Sequence, residues 1–70
     1  MKYQEERLID MLLGLVQNEL NYEKEYNNCE TEDYVEDLIN AKLWLMKKKK
    51  LPKIVIDSLL EEDMKEYLNK

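Results

Sequence analysis

A run of lysines is the densest concentration of charge in the sequence, and clustered ammonium groups can bind phosphates or another anionic surface. Its members are Lys47, Lys48, Lys49 and Lys50, with Lys53 following Leu51 and Pro52. The other interpretation is that these cations close a helix, where they stabilise the negative end of its dipole. We prefer the second interpretation because the whole chain is acidic, with a formal net charge of −5.

The residues after Pro52 argue against sequence-specific recognition of DNA. A helix that follows this turn would be the natural recognition helix of a helix-turn-helix protein. The stretch is acidic, however, and DNA phosphates would repel its carboxylates, which are Asp57, Glu61, Glu62, Asp63 and Glu66. Nucleic acid is therefore a possible but disfavoured partner.

A strip of carboxylates surrounds the start of the predicted second helix. Its members are Glu30, Glu32, Asp33, Glu36 and Asp37. Such a strip could stand in for phosphates on a DNA-binding protein, as an acidic mimic of nucleic acid. The simpler interpretation is a solvated helix face with acidic groups near the positive end of the dipole. A calcium loop is not indicated, because the alternating oxygen ligands and the glycine turn are both missing.

The sequence contains no recognisable set of catalytic residues. The sequence has no histidine and one cysteine, so it lacks the commonest general base and cannot build a single-chain structural zinc site. Ser58 fits a helix cap or a surface position better than a nucleophile. The acidic neighbours of Cys29 disfavour a reactive thiolate. We therefore expect no enzymatic activity, no catalytic residue, no cofactor and no metal.

Three helices must position these groups within one small domain of residues 1–70. Apolar periodicity predicts helix 1 over about residues 3–26, helix 2 over about residues 32–49 and helix 3 over about residues 53–69. The predicted loop between the first two helices is Asn27-Asn28-Cys29-Glu30, and Thr31 is the expected N-cap of helix 2.

The start of helix 3 is ambiguous in the sequence. Pro52 cannot continue helix 2. We favour a helix from Pro52 or Lys53, because the apolar residues that follow keep helical spacing. The alternative is a strand over the β-branched residues 54–56, with helix 3 beginning at Asp57 or Ser58.

The predicted fold class is all-α, with helices 1 and 2 forming an antiparallel hairpin and a shorter helix 3 folding across it. The predicted core is Leu8, Leu12, Leu15, Val16, Leu20, Leu38, Ile39, Leu45, Ile56, Leu60 and Met64. Helix 1 carries apolar residues over an arc of roughly 200°, and a typical stripe spans about 100°. Residues 43–46 are apolar on every side. This surplus predicts a homodimer, which would form a dimeric helical bundle.

The leading functional hypothesis is a non-enzymatic module that binds another protein as an inhibitor, adaptor or regulator. Aromatic and methionine side chains are enriched at the centres of interfaces, so the expected anchors are Tyr34, Leu43, Trp44 and Met46. The first alternative is a nucleic-acid-associated regulator that uses the lysines from Lys47 to Lys53. The second is a structural subunit of a larger assembly.

A cytoplasmic location is expected, with no membrane association. The residues after Met1 do not resemble a signal peptide, and the apolar stretch of helix 1 is too short to cross a bilayer. A lone cysteine fits a reducing compartment. The abundance of lysine, asparagine, isoleucine and tyrosine is typical of AT-rich coding, which suggests a small bacterial protein encoded by a phage or mobile element.

Overall fold

The computed structural model describes the backbone of residues 2–68 and the side chains of residues 4–68. Three helices follow one another, α1 (Lys2–Tyr26), α2 (Glu32–Lys48) and α3 (Lys53–Asp63), and α3 continues into a π-helical turn (Met64–Leu68). No strand occurs in this part of the chain. The antiparallel α1–α2 hairpin is the closest-packed pair, and α3 lies against α2. The all-α class and the third, shorter helix are confirmed.

The turn between α1 and α2 closes the first helix with left-handed backbone geometry. Asn28 and Cys29 have φ values of 54° and 53°, and asparagine tolerates this region better than most residues. The amide of Cys29 donates to the carbonyl oxygen of Glu23 at 3.0 Å. The side-chain amide of Asn27 donates to the buried carboxylate of Glu23 at 2.6 Å. Thr31 precedes α2 as expected, but its side chain makes no capping hydrogen bond.

The turn between α2 and α3 depends on Lys50 and Pro52. Lys50 has a φ of 63°, and the amide of Leu51 donates to the carbonyl oxygen of Met46 at 3.4 Å. Pro52 has an extended backbone, with φ −56° and ψ 142°, and occupies the N-cap position of α3. Residues 53–56 are therefore helical, and Ser58 lies inside α3 rather than at its start.

The core lies where the α1–α2 hairpin meets the π-helical turn. Leu20, Val35 and Ile39 are fully buried and pack with Cys29 and Tyr67. The side chains that border this cluster are Val16, Leu38, Leu60 and Leu68. Cys29 is therefore a core residue and presents no exposed thiol.

Four of the predicted core positions are wrong. Leu8, Leu12, Leu15 and Met64 are exposed, whereas Leu20, Ile39, Leu45 and Ile56 are buried as expected. The contact of α1 with α2 instead uses a second stripe, whose buried or half-buried members are Ile9, Leu13, Val16, Leu20 and Glu23. The remaining buried residues that the prediction omitted are Cys29, Val35, Met46, Asp63 and Tyr67.

A chain of polar contacts joins all three helices beside this core. The Lys42 ammonium lies 2.9 Å from Asp63 Oδ2 and donates to Gln17 Oε1 at 2.7 Å. The Gln17 amide donates to the Tyr67 hydroxyl at 2.8 Å, and that hydroxyl donates to Asn21 Oδ1 at 2.8 Å. Desolvation by burial raises the pKa of Tyr67. The contacts run from α2 through α1 to the end of α3, so they fix the side of the hairpin on which α3 packs.

The Lys42–Asp63 contact is an ion pair rather than a well-directed hydrogen bond. Asp63 Oδ2 accepts no hydrogen bond of good geometry from any side chain in residues 4–68. Both side chains are largely buried, with exposed fractions of 14% and 9%. A buried pair of this kind contributes little compared with apolar residues, but loss of one partner leaves a buried charge without compensation.

We expect Lys50→Gly to stabilise the protein relative to Lys50→Ala. Both variants remove the ammonium group, but only glycine adopts a φ near 63° without steric cost. The left-handed region costs a residue with a Cβ about 1–2 kcal/mol. For a domain of this size, 1 kcal/mol corresponds to about 4–8 °C in the melting temperature. Thermal unfolding followed by circular dichroism measures the difference, and equal melting temperatures would contradict the turn geometry.

We expect Asp63→Ala to destabilise the fold by about 3–5 kcal/mol, because it strands the buried Lys42 ammonium. The double variant Lys42→Met/Asp63→Leu should recover most of that loss, since no charge is left buried. Urea denaturation measures both free energies of unfolding. The exposed pair Lys65–Glu61, at 3.4 Å, is the matched control, and its double replacement by Met and Leu should change little. A loss at Asp63 no larger than in this control would show that the buried pair is not structural.

Candidate interaction surfaces

The side of the hairpin opposite α3 carries an apolar surface that no other element within residues 2–68 covers. We call it the open face and define it by Leu8, Met11, Leu12 and Leu15 of α1 with Tyr34 of α2. The exposed fractions of the four α1 residues are 55%, 54%, 42% and 58% in that order. Exposed apolar side chains are ordinary one at a time, but a contiguous group marks an interaction surface.

Helix geometry explains why α3 cannot cover the open face. At 100° per residue, Leu8, Leu12 and Leu15 lie roughly 140–180° around α1 from Gln17, which contacts Tyr67. On α2, Tyr34 lies about 180° from Leu43, which lines a groove against α3. The polar contacts that hold α3 therefore place it on the far side of the hairpin.

A hydrogen bond fixes Tyr34 at the edge of the open face. Its hydroxyl donates to Glu19 Oε1 at 3.1 Å, which ties the first turn of α2 to the middle of α1. Desolvation by burial, followed by this bond to Glu19, raises the pKa of Tyr34. The tyrosine ring remains half exposed, so it can extend the apolar surface of α1 across the hairpin.

The four predicted anchors do not form one surface. Trp44 is 58% exposed and stands apart from the open face, with the Lys48 ammonium 5.1 Å from the centre of its ring. Met46 is 3% exposed, so it belongs to the interior and has no surface to offer a partner. Leu43 is half-buried beside α3, and Tyr34 lies on the opposite side of α2. The prediction selected these residues by type, but their side chains point in different directions from α2.

The lysine run divides between two sides of the molecule. Lys48, Lys49 and Lys50 border a depression that they share with Glu5, Glu6 and Ile9. The Lys49 ammonium also donates to Asp10 Oδ1 at 2.6 Å. Carboxylates of α1 thus offset part of this charge, and the five lysines do not form one continuous positive surface.

The other two lysines, Lys47 and Lys53, line a groove between the end of α2 and the start of α3. It has a volume of about 510 Å³ and is lined by Leu43, Lys47, Leu51, Lys53, Ile56, Asp57 and Leu60. Its floor is apolar, because Ile56 is buried and the three leucines are half-buried. Lys47, Lys53 and Asp57 are exposed at its rim. The sequence reasoning missed this groove because its two walls come from different helices.

The predicted acidic strip is fully solvated. The side chains of Glu30, Glu32, Asp33, Glu36 and Asp37 are all exposed along the loop and the first two turns of α2. Among the described residues, no group of three acidic or cysteine side chains is arranged to hold a metal ion. The buried carboxylate of Asp63 already forms an ion pair with the Lys42 ammonium.

None of the helices within residues 2–68 combines the length and the apolarity that crossing a membrane requires. The open face and the groove each consist of apolar side chains bordered by charge, which is the usual composition of a binding surface. Comparison of the chain with protein-family models, curated proteins and solved structures finds no significant match.

Proposed function

We propose that this protein is a non-enzymatic interaction module that dimerises through its open face and binds another protein to modulate it. The observation that carries the proposal is the group of exposed apolar residues on the α1 side of the open face, Leu8, Met11, Leu12 and Leu15. Contact with a protein surface removes such residues from water, at about 25 cal/mol per Å² of apolar area.

The accessible surface area of the chain supports the proposal, because it exceeds that of a compact monomer by about the area of one protein interface. The chain exposes 5420 Å². A compact monomer of 8.5 kDa would expose about 4700 Å². The excess is comparable with the roughly 800 Å² that each partner buries in a standard interface. The radius of gyration of 12.5 Å also exceeds the value of about 11 Å expected for a compact domain of this length.

A second copy of the chain fits the open face because the α1 stripe is self-complementary. In an antiparallel pair of α1 helices centred between Met11 and Leu12, Leu8 of one copy lies opposite Leu15 of the other. Closed dimers use the same patch on both subunits in this way. No charged side chain interrupts the stripe between Leu8 and Leu15 on the exposed side, since Asp10 points to Lys49.

The alternatives have weaker support. A nucleic-acid contact needs a continuous positive surface, and Glu5, Glu6 and Asp10 lie among the lysines. Mimicry of nucleic acid has only the exposed acidic strip in its favour. A structural subunit would use the same apolar surface as the dimer, and it would differ in leaving the isolated chain aggregated.

We expect the wild-type protein to elute as a dimer and Leu12→Glu to elute as a monomer. Leu12 is 42% exposed, so burying the exposed part of both copies contributes about 1–3 kcal/mol, and the dissociation constant should rise at least about tenfold. Light scattering behind size-exclusion chromatography, over a tenfold range of concentration, measures the mass. The control is Ile54→Glu, which adds the same charge at a more exposed apolar site, 79% accessible on α3, and should remain dimeric. A monomeric wild type would refute the dimer.

We expect Trp44→Ala to abolish capture of the partner protein while leaving the dimer intact. Trp44 is exposed and is not one of the residues of the open face, so we expect the dimer contact to leave it accessible. Buried tryptophans typically contribute 2 kcal/mol or more to an interface, which is at least about a 30-fold loss of affinity. Quantitative pull-down from the source cell measures capture, with Tyr26→Ala as the control, because Tyr26 is an aromatic residue at least as exposed as Trp44. Unchanged capture by the Trp44 variant would remove Trp44 as the anchor.

A further inference from the structure

The groove between α2 and α3 has the character of a preformed binding site. The turn that frames it is held by backbone bonds, because the amide of Lys50 donates to the carbonyl oxygen of Lys47 at 3.0 Å and that of Leu51 to the carbonyl oxygen of Met46 at 3.4 Å. Lys50 has left-handed geometry in this turn. The walls of the groove are therefore two helices and a fixed turn, so a ligand meets a rigid surface.

The two lysines of the groove lack acidic partners in the described part of the chain. Lys49 pairs with Asp10, and Lys42 with Asp63, but neither Lys47 nor Lys53 lies in an ion pair with a described carboxylate. Asp57 is the one acidic residue among those that line the groove. The site thus combines an apolar floor with two positive charges that remain to be matched.

We propose that this groove binds an acidic amphipathic helix of a partner protein. Leucine-like side chains of that helix would occupy the floor formed by Leu43, Ile56 and Leu60. Its carboxylates would meet Lys47 and Lys53 at the rim. A helix in a groove is recognised in this way, through apolar anchors at i, i+3, i+4 and i+7 and charges on the flanks. The inference rests on the proposed function and names the class of partner that the module binds.

The shape and chemistry of the groove favour a peptide over other anions. Nucleic acid supplies phosphates but no aliphatic groups for the leucine floor. A fatty acid needs an enclosed cavity that buries most of its chain. This groove is open along the side where Lys47, Lys53 and Asp57 are exposed. A helix fills such a groove on one face and leaves its other face in water.

The test uses a fluorescein-labelled 15-residue helical peptide with leucines at i, i+3, i+4 and i+7 and glutamates on both flanks. Fluorescence anisotropy measures its affinity for the full-length protein at moderate salt. We expect Lys47→Glu/Lys53→Glu to weaken binding at least tenfold. The matched control is Lys48→Glu/Lys65→Glu, which changes the net charge equally at exposed positions outside the groove and should weaken binding less than threefold. Replacing the leucines of the peptide with alanine should also abolish binding.

Several outcomes would overturn the proposal. Equal losses in the two charge-reversed variants would mean that the peptide senses only the general field of the lysines. Failure of the peptide to bind would refute the proposal. Binding of dodecanoate or a DNA duplex in its place would assign the groove to that ligand. The measurement is repeated on Leu12→Glu, because the groove lies away from the open face and the affinity should not change. The groove and the dimer can therefore fail independently, as can capture through Trp44.

Discussion

The contacts that link Asp63, Lys42, Gln17 and Tyr67 determine the arrangement of this molecule. Apolar packing alone would let α3 lie on either side of the hairpin, because α1 is apolar around much of its circumference. Four polar groups cannot be buried unless they meet one another, so they select one side. Everything exposed on the other side of α1, including Leu8 and Leu15, is exposed because of that selection. The same polar contacts therefore hold α3 in place and leave the open face uncovered by α3.

The small size of the domain turns this exposure into a property of the whole chain. A 70-residue protein buries a modest part of its surface, and small domains commonly gain stability from disulfides, metals or association. The single cysteine is buried in the core and cannot form an internal bridge. In the proposed dimer, association would bury the same leucines that the proposed function requires. Stability and binding would then be coupled through the open face.

The sequence was sufficient for the helices and their turns but not for the choice of buried stripe. Asn28 and Pro52 mark the two turns through local backbone chemistry, which needs no knowledge of the rest of the chain. The arc of α1 contains two interleaved stripes, and both have helical spacing. The stripe of Ile9 and Leu20 is the buried one, because the contacts of Tyr67 and Asp63 hold α3 on the side of Gln17. A prediction from apolar spacing does not take such polar residues into account. Likewise, residue type could not reveal that Met46 points inward and Trp44 outward.

The position of Tyr67 has a consequence for the order in which the protein folds. Its hydrogen bonds reach Gln17 and Asn21 across sequence separations of 50 and 46 residues. The hairpin of α1 and α2 can form from nearer contacts, but until the π-helical turn arrives Lys42 and Gln17 face water and the core lacks its aromatic side chain. Distant contacts of this kind form late, because the long loop must close before they contribute. We therefore expect the π-helical turn to close over the hairpin late in folding, and its closure joins all three helices.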